Sequence, residues 1–364
     1  MLIVDAHLDL AWNALQWHRN LQLSAHTIRM LEIETPGPGR SLGTTALPDL
    51  ARGRVALCFA TLLARSTGRP DPTIDYDTPA QAFAVARGQL AYYRALEKQG
   101  YVRIITDITA LDQHIAEWSA WDADPHADDA HHPPLGFIIS MESADPILNA
   151  GELVEWREAG VRLIGPAHYG PGRYTGGTGT ELGLTSAGRE LLVEMERHGV
   201  ILDTTHLTDQ AFWEAMKIYN GPIIASHNNC RTLVPHQRQF TDEQIKAIIK
   251  RDGVIGTALD LVMLKLGWVI GSSSNTGLNL ERAVDHIDHI CQLAGNTRHV
   301  AIGSDLDGGF GHDQSPADVD TIADLQKFSS LLAKRGYSES DINGFMHGNW
   351  LRLIRRCWSS TPKA

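Results

Sequence analysis

The sequence predicts an α/β chain folded as a (β/α)8 TIM-type barrel with its chemistry at the C-terminal ends of the strands. Three observations carry this: eight short apolar, β-branched runs, intervals of helical periodicity between most of them, and ionisable residues that close those runs. The runs occupy residues 2–8, 55–63, 136–141, 161–166, 200–205, 222–226, 254–259 and 300–304. Parallel strands covered on both faces read as continuous apolar stretches of this kind, because neither face meets water.

Helical periodicity fills 79–99, 186–198, 208–219, 241–251 and 280–294. Thr185-Ser186 precedes the apolar repeat of Leu191, Leu192 and Met195, and Thr241-Asp242-Glu243-Gln244 has the form of a capping box. Gly199 and Gly253 stand where helix C-caps belong. At 364 residues the chain suits one elaborated barrel domain over 1–364, with loop insertions at about 120–135 and 265–279. Residues 120–135 are acidic and proline-broken and read as an exposed loop, in which His131-His132 lacks the helix or strand that would make it a metal site. Gly37-x-Gly39 is not held between a strand and a helix, so it is no dinucleotide fingerprint.

Composition excludes several classes of function. Hydrophobic residues at 43% and charged residues at 21% suit a globular chain with a large core. A formal net charge of −11 argues against a nucleic-acid partner, which needs a basic surface to displace counterions. The four cysteines lie far apart without a C-x-x-C pair, excluding a zinc ribbon or a disulfide framework and fitting reduced thiols in a cytoplasm. No basic, apolar leader and no run of about 18 apolar residues is present, so neither export nor a membrane anchor is expected.

The informative feature is the set of side chains closing the strands: His7 and Asp9 after the first, Glu142 after the third, His206 after the fifth, His227 after the sixth and Asp305 after the eighth. Singly, each histidine reads as a hydrogen-bonded core residue and Glu142 as a cap or an ion-pair partner. Jointly these readings fail, because a barrel gathers all its strand ends around one mouth. Carboxylates and imidazoles crowded there are costly to desolvate without cations. Leaving Asp305 aside, three imidazoles and two carboxylates exceed the three protein ligands of a single catalytic zinc, so two metals sharing a carboxylate fit better.

The D-x-H-x-D opening, the lone Glu142, the D-x-x-H and S-H strand ends, the H-x-R loop at His236–Arg238 and the G-S-D-x-D-G ending at Gly303–Gly308 resemble the membrane (renal) dipeptidase family of the amidohydrolase superfamily. The resemblance covers nearly the whole chain. It implies two zinc ions per chain, one held by His7, Asp9 and Glu142 and the other by Glu142, His206 and His227, with Glu142 bridging and a metal-bridging hydroxide as nucleophile. It further implies that Asp305 shuttles a proton, that His168 polarises the scissile carbonyl, and that Arg238 holds the substrate carboxylate; Asp307 reads as structural. The implied activity is zinc-dependent hydrolysis of the amide bond of small dipeptides, L,D-dipeptides among them. Homodimers are common in the family, and a homodimer is the assembly the resemblance allows.

The chain departs from the family pattern at Ser143, at Gln237 and Gln239 around the arginine, and at Thr204-Thr205. It also departs at the end of the second strand, Leu62-Leu63-Ala64-Arg65, and of the seventh, Ala258-Leu259-Asp260-Leu261-Val262. Those strands line the pocket, so the departures bear on substrate rather than on metal. Alternative readings are another binuclear amidohydrolase, an N-acyl amino acid deacylase or lactonase, and a barrel that binds without catalysing. The fourth run, Val161 to His168, contains no lysine of the sort that phosphotriesterase-like members modify, which favours the dipeptidase branch. No G-x-S-x-G elbow accompanies Cys230, which reads as a small buried residue.

Overall fold

A computed structural model describes all residues except Pro70, Pro72, Asp129, Ala130 and 360–364. Among the described residues the strands are β1 (Ile3–Leu8), β2 (Val55–Leu63), β3 (Val102–Ile104), β4 (Leu135–Glu142), β5 (Val161–Gly165), β6 (Ile201–Asp203), β7 (Ile223–Ile224), β8 (Ile255–Thr257) and β9 (Val300–Ile302). Each of the eight apolar runs holds one of them. The short β3, flanked by the helix Ile108–Ala123, has no counterpart among those runs. That helix runs into the stretch assigned to a loop, which is thereby confined to the residues between Ala123 and Leu135. The second predicted insertion carries neither helix nor strand over 265–279.

Every pairing between these strands is parallel. Seven strands form one sheet in the order β1-β2-β4-β5-β6-β7 with β3 on the side of β4, and β8 and β9 form a second sheet of two strands. The two sheets meet beyond β7, where Ala225 bridges Ile255 in parallel and Gly256 N–H donates to Ala225 O at 2.8 Å. Between β9 and β1 a side chain replaces the backbone ladder: Ser304 N–H donates to Asp5 Oδ1 at 2.9 Å. The architecture is therefore a curled parallel sheet with helices between its strands, interrupted as a ladder where an eight-fold ring would close.

Alternation along the strands divides the core in two. Val4, Phe59, Ile138, Leu163, Ile224 and Ala301 join one buried cluster, capped by Trp350 and Leu353 of the C-terminal helix Asn349–Ser359. Their strand neighbours Ile3, Cys58, Ile139, Ile164, Ile223 and Ile302 join the other, with apolar helix residues such as Leu191, Phe212 and Ile287. Two apolar faces per strand account for the continuous apolar runs.

The capping box at Thr241 forms as written in the sequence, with Thr241 Oγ1 accepting from Gln244 N–H at 3.3 Å and Gln244 Oε1 accepting from Thr241 N–H at 2.9 Å. Gly199 adopts a left-handed φ of 63° past its helix, whereas after Asp242–Lys250 that conformation falls on Asp252, at φ 52°. Gly253 is needed for closeness instead, since a Cβ there would lie 2.8 Å from Ile223 O. No helix of the described residues is long and apolar enough to cross a membrane. Among the described residues no disulfide joins the four cysteines, and burial pushes the Cys230 thiol up, away from a reactive thiolate.

Two glycines set the backbone under the strand ends. A Cβ on either Gly256 or Gly303 would fall 1.8 Å from Ser226 O, the carbonyl before His227. Alanine at Gly303 must therefore displace the segment carrying that histidine. We expect Gly303→Ala to cost roughly 2–3 kcal/mol and to lower the melting temperature by ~5 °C or more. An unchanged thermal melt would show that this backbone contact has slack.

Candidate metal centre

The strand ends converge as the alternation and the curl require. The β1–β2 register is irregular between Asp5 and Leu8, around His7, and such irregularities re-aim side chains. Asp9 precedes the helix Leu10–Leu15, Glu142 is the last residue of β4, and His206, His227 and Asp305 follow β6, β7 and β9. Left-handed backbone recurs here, with φ of 65° at Ser143, 65° at His206, 57° at Asp305 and 63° at Asp307. Conformations this unfavourable for residues with a Cβ persist where surrounding structure holds them, typically at functional sites.

The two carboxylate oxygens of Glu142 face different partners. Oε1 lies 3.2 Å from His206 Nε2 and 3.3 Å from His227 Nε2, while Oε2 lies 3.5 Å from His7 Nε2. His7 Nε2 is also 3.5 Å from Asp9 Oδ2 and 3.8 Å from Asp305 Oδ1. Three ligand sets have donor atoms mutually within 4.8 Å: His7, Asp9 and Glu142; Glu142, His206 and His227; and His7, His227 and Asp305.

His7 Nε2, Asp9 Oδ1 and Glu142 Oε1 are buried without a hydrogen-bond partner. Buried polar atoms left unpaired are costly, and here they belong to one close-set ligand group and are nitrogen and oxygen donors suited to zinc-like divalent cations. The residues thus fit cations in both groups that contain Glu142. Burial opposes a charge on His7, but Glu142 and Asp9 outweigh it and raise its pKa well above the ordinary imidazole range: the carboxylates demand positive charge at this point. Burial and then Arg238 push His206 well below that range, and burial and then His7 do the same for His227, so both present neutral nitrogen donors.

A ring of hydroxyls orients the imidazoles. Thr178 Oγ1 lies 2.9 Å from His206 Nδ1, Ser226 Oγ 2.8 Å from His227 Nδ1, and Thr61 Oγ1 3.4 Å from His7 Nδ1. A hydroxyl can accept the Nδ1 proton and leave Nε2 as the electron-pair donor facing inward, which is how outer partners fix a ligand's tautomer. Sequence reasoning missed Thr61 and Thr178 and met Ser226 only as part of the S-H strand end.

The centre lies in a cleft of about 660 Å³ lined also by His168, Arg238 and Asp305. Burial, reinforced by Asp9 and Glu142 against His7, raises Asp305 well above the usual carboxylate range. Arg238 is 4% exposed. It donates from NH1 to Asn228 Oδ1 at 3.0 Å and from NH2 to His227 O at 2.8 Å, with no carboxylate at ion-pair distance among the described residues. A buried guanidinium without a counter-ion, facing a cleft, is suited to an anionic ligand. Asp307 lies apart: its carboxylate accepts from Thr44 and Thr45 N–H at 2.8 and 2.9 Å and pins that loop.

Sequence reasoning passed over Tyr169 and placed Arg65 and Asp260 only within strand ends expected to line the pocket; all three stand in the cleft wall. Asp260 Oδ1 accepts from Val262 N–H and from Gln314 Nε2, each at 2.9 Å, and burial pushes its carboxyl up to about 6. The available signal was the one that found the other site residues, a charged side chain just past a strand. At Arg65 and Asp260 it stood where the family pattern breaks.

The chain is similar to proteins of known class. The family profile for membrane dipeptidase (peptidase family M19) matches residues 1–361. Dipeptidase tcpJ of Claviceps purpurea is 28% identical over 60% of this chain, an alignment that spans 50% of that relative's own length. Among solved structures, the dipeptidase AC, a metallopeptidase of family M19, superposes with a TM-score of 0.80 at 22% identity, covering 99% of both chains. A metallopeptidase from Rhodobacter sphaeroides, solved with a phosphinate mimic of the dipeptide L-Ala-D-Ala, superposes with a TM-score of 0.78 at 22% identity, covering 98% of this chain and 99% of that one. At these identities the structural likeness speaks for the fold, and the full-length family match speaks for descent. The chain belongs to the membrane dipeptidase family, peptidase family M19.

Proposed function

We propose that this chain is a zinc-dependent dipeptidase built as one (β/α)8 barrel domain over 1–364, cleaving the amide bond of small dipeptides, L,D-dipeptides among them. The observation that carries the reading is Glu142, whose two oxygens face separate histidine groups. His7, Asp9 and Glu142 would hold one ion, and Glu142, His206 and His227 the second. Bound there, the pair supplies Lewis acidity and a water acidified to near neutrality.

The remaining residues divide the work on the substrate. Arg238 binds the free carboxylate of the dipeptide with its planar donors. His168 donates a hydrogen bond to the scissile carbonyl, strengthening as negative charge builds on that oxygen. Asp305, disposed to hold a proton, takes one from the attacking water and returns it to the leaving amine. The relative solved with an L-Ala-D-Ala mimic supports an L,D substrate. Four cysteines outside any disulfide suit a reducing cytoplasm.

The test is a panel of L,L- and L,D-dipeptides, N-acyl amino acids and lactones, assayed with zinc-loaded protein. Dipeptides should be the best substrates; faster turnover of acyl amino acids or lactones would reassign the activity. Arg238→Met is expected to raise KM by on the order of 100-fold with a smaller change in kcat, and wild-type protein should handle a dipeptide amide as poorly as the variant handles the dipeptide. Equal loss on both substrates in the variant would remove Arg238 from carboxylate recognition.

A further inference from the structure

Four histidines surround the Glu142 carboxylate, and their outer partners sort them into two chemical kinds. His7, His206 and His227 meet hydroxyls at Nδ1, which can give or take a proton. His168 meets a guanidinium: Arg65 NH1 lies 2.9 Å from His168 Nδ1 and 3.3 Å from Tyr169 O. Arg65 is itself anchored, with Nε 3.4 Å from Oδ2 of the buried Asp75, a carboxylate that also accepts from Thr67 N–H at 2.9 Å.

A guanidinium has five donors and no acceptor, and it keeps its proton at any working pH. A 2.9 Å contact with a ring nitrogen therefore requires the lone pair to be on Nδ1. The neutral ring then carries its proton on Nε2, the atom that faces the cleft, 3.7 Å from Glu142 Oε2. An Nε2–H cannot ligate a cation through that nitrogen, and it is the form that donates to an oxygen. Had a hydroxyl or carboxylate stood where Arg65 stands, His168 could have become another ligand.

We infer that Arg65, anchored by Asp75, is a positioning residue that fixes His168 as its Nε2-protonated tautomer, withholding it from metal ligation and presenting a hydrogen-bond donor to the cleft. That the donor serves a scissile carbonyl rests on the dipeptidase reading; the tautomer does not. Arg65 stands two residues past β2, at a point where this chain departs from the family pattern.

The experiment is long-range proton–nitrogen NMR on zinc-loaded, histidine-labelled protein. The His168 signals are identified among the 17 histidines by their loss in His168→Gln. Wild type should show the Nε2-protonated pattern, and Arg65→Met should show a mixture of tautomers or the Nδ1-protonated one. With L-Ala-D-Ala, Arg65→Met should lower kcat on the order of 100-fold with KM within about threefold, because a misplaced proton removes a transition-state donor. Arg65→Lys, which keeps a donor, should recover roughly tenfold or more of that loss. Should Arg65→Met not fold, Arg65→Gln and the wild-type pattern serve in its place. An Nδ1-protonated His168 in wild type, or an unchanged pattern in Arg65→Met, overturns the inference. Absent dipeptide turnover with an Nε2-protonated His168 would sink the dipeptidase reading and leave this one standing.

Discussion

Glu142→Gln is expected to reduce bound zinc from the two ions per chain proposed above to less than one and to lower kcat/KM by on the order of 10⁴-fold or more. The substitution keeps the shape of the side chain but removes its charge and turns one oxygen into an NH2 group. That group would point a donor at the cavity from Oε1 or Oε2, toward nitrogens of His206 and His227 at 3.2 and 3.3 Å or of His7 at 3.5 Å. Both ligand groups that contain Glu142 lose their shared anion at once, so the loss should exceed that for any single histidine. Metal analysis after dialysis, run beside turnover, checks this. A variant that keeps both ions and most of its activity would rule out Glu142 as the shared ligand.

Asp305→Asn should separate metal binding from turnover, retaining both ions while kcat falls about 10²- to 10⁴-fold. Asparagine tolerates the left-handed φ of 57° at this position as well as aspartate does, so the backbone is not the variable. What changes is the ability to take and return a proton. Asp305 Oδ1 also lies 3.8 Å from His7 Nε2, in a group with His227 that could itself hold a cation. Metal content decides between these roles: if Asp305→Asn loses an ion along with turnover, Asp305 is a ligand. Gly308→Ala offers a charge-neutral control, because its Cβ would fall 2.0 Å from Asp305 Oδ1 and force that carboxylate to move. It should lose part of the turnover and keep the metal.

Much of this was legible in the chain because it is local. A strand buried on two faces must be apolar throughout, so all eight apolar runs marked strands of the structure. A helix must satisfy its first N–H groups, so Thr185 and Thr241 announced their helices. The strand β3 was not legible, since three residues with Arg103 half-buried between Val102 and Ile104 carry too little periodicity. Nor was the break in the ladder, where Asp5 and Ser304, 299 residues apart, meet through a side chain.

The sequence by itself determined the curled α/β scaffold and the residues that close its strands, because apolar burial and strand-end polarity are written residue by residue. Tertiary structure decided what those residues can do. It sent the two oxygens of Glu142 to different histidines and left Arg238 buried without a counter-ion. It also set Thr178 against His206, 28 residues away, and Arg65 against His168, 103 residues away. Which nitrogen of an imidazole faces a cation, and which carries a proton, depends on the partner across the ring, and only folding chooses that partner.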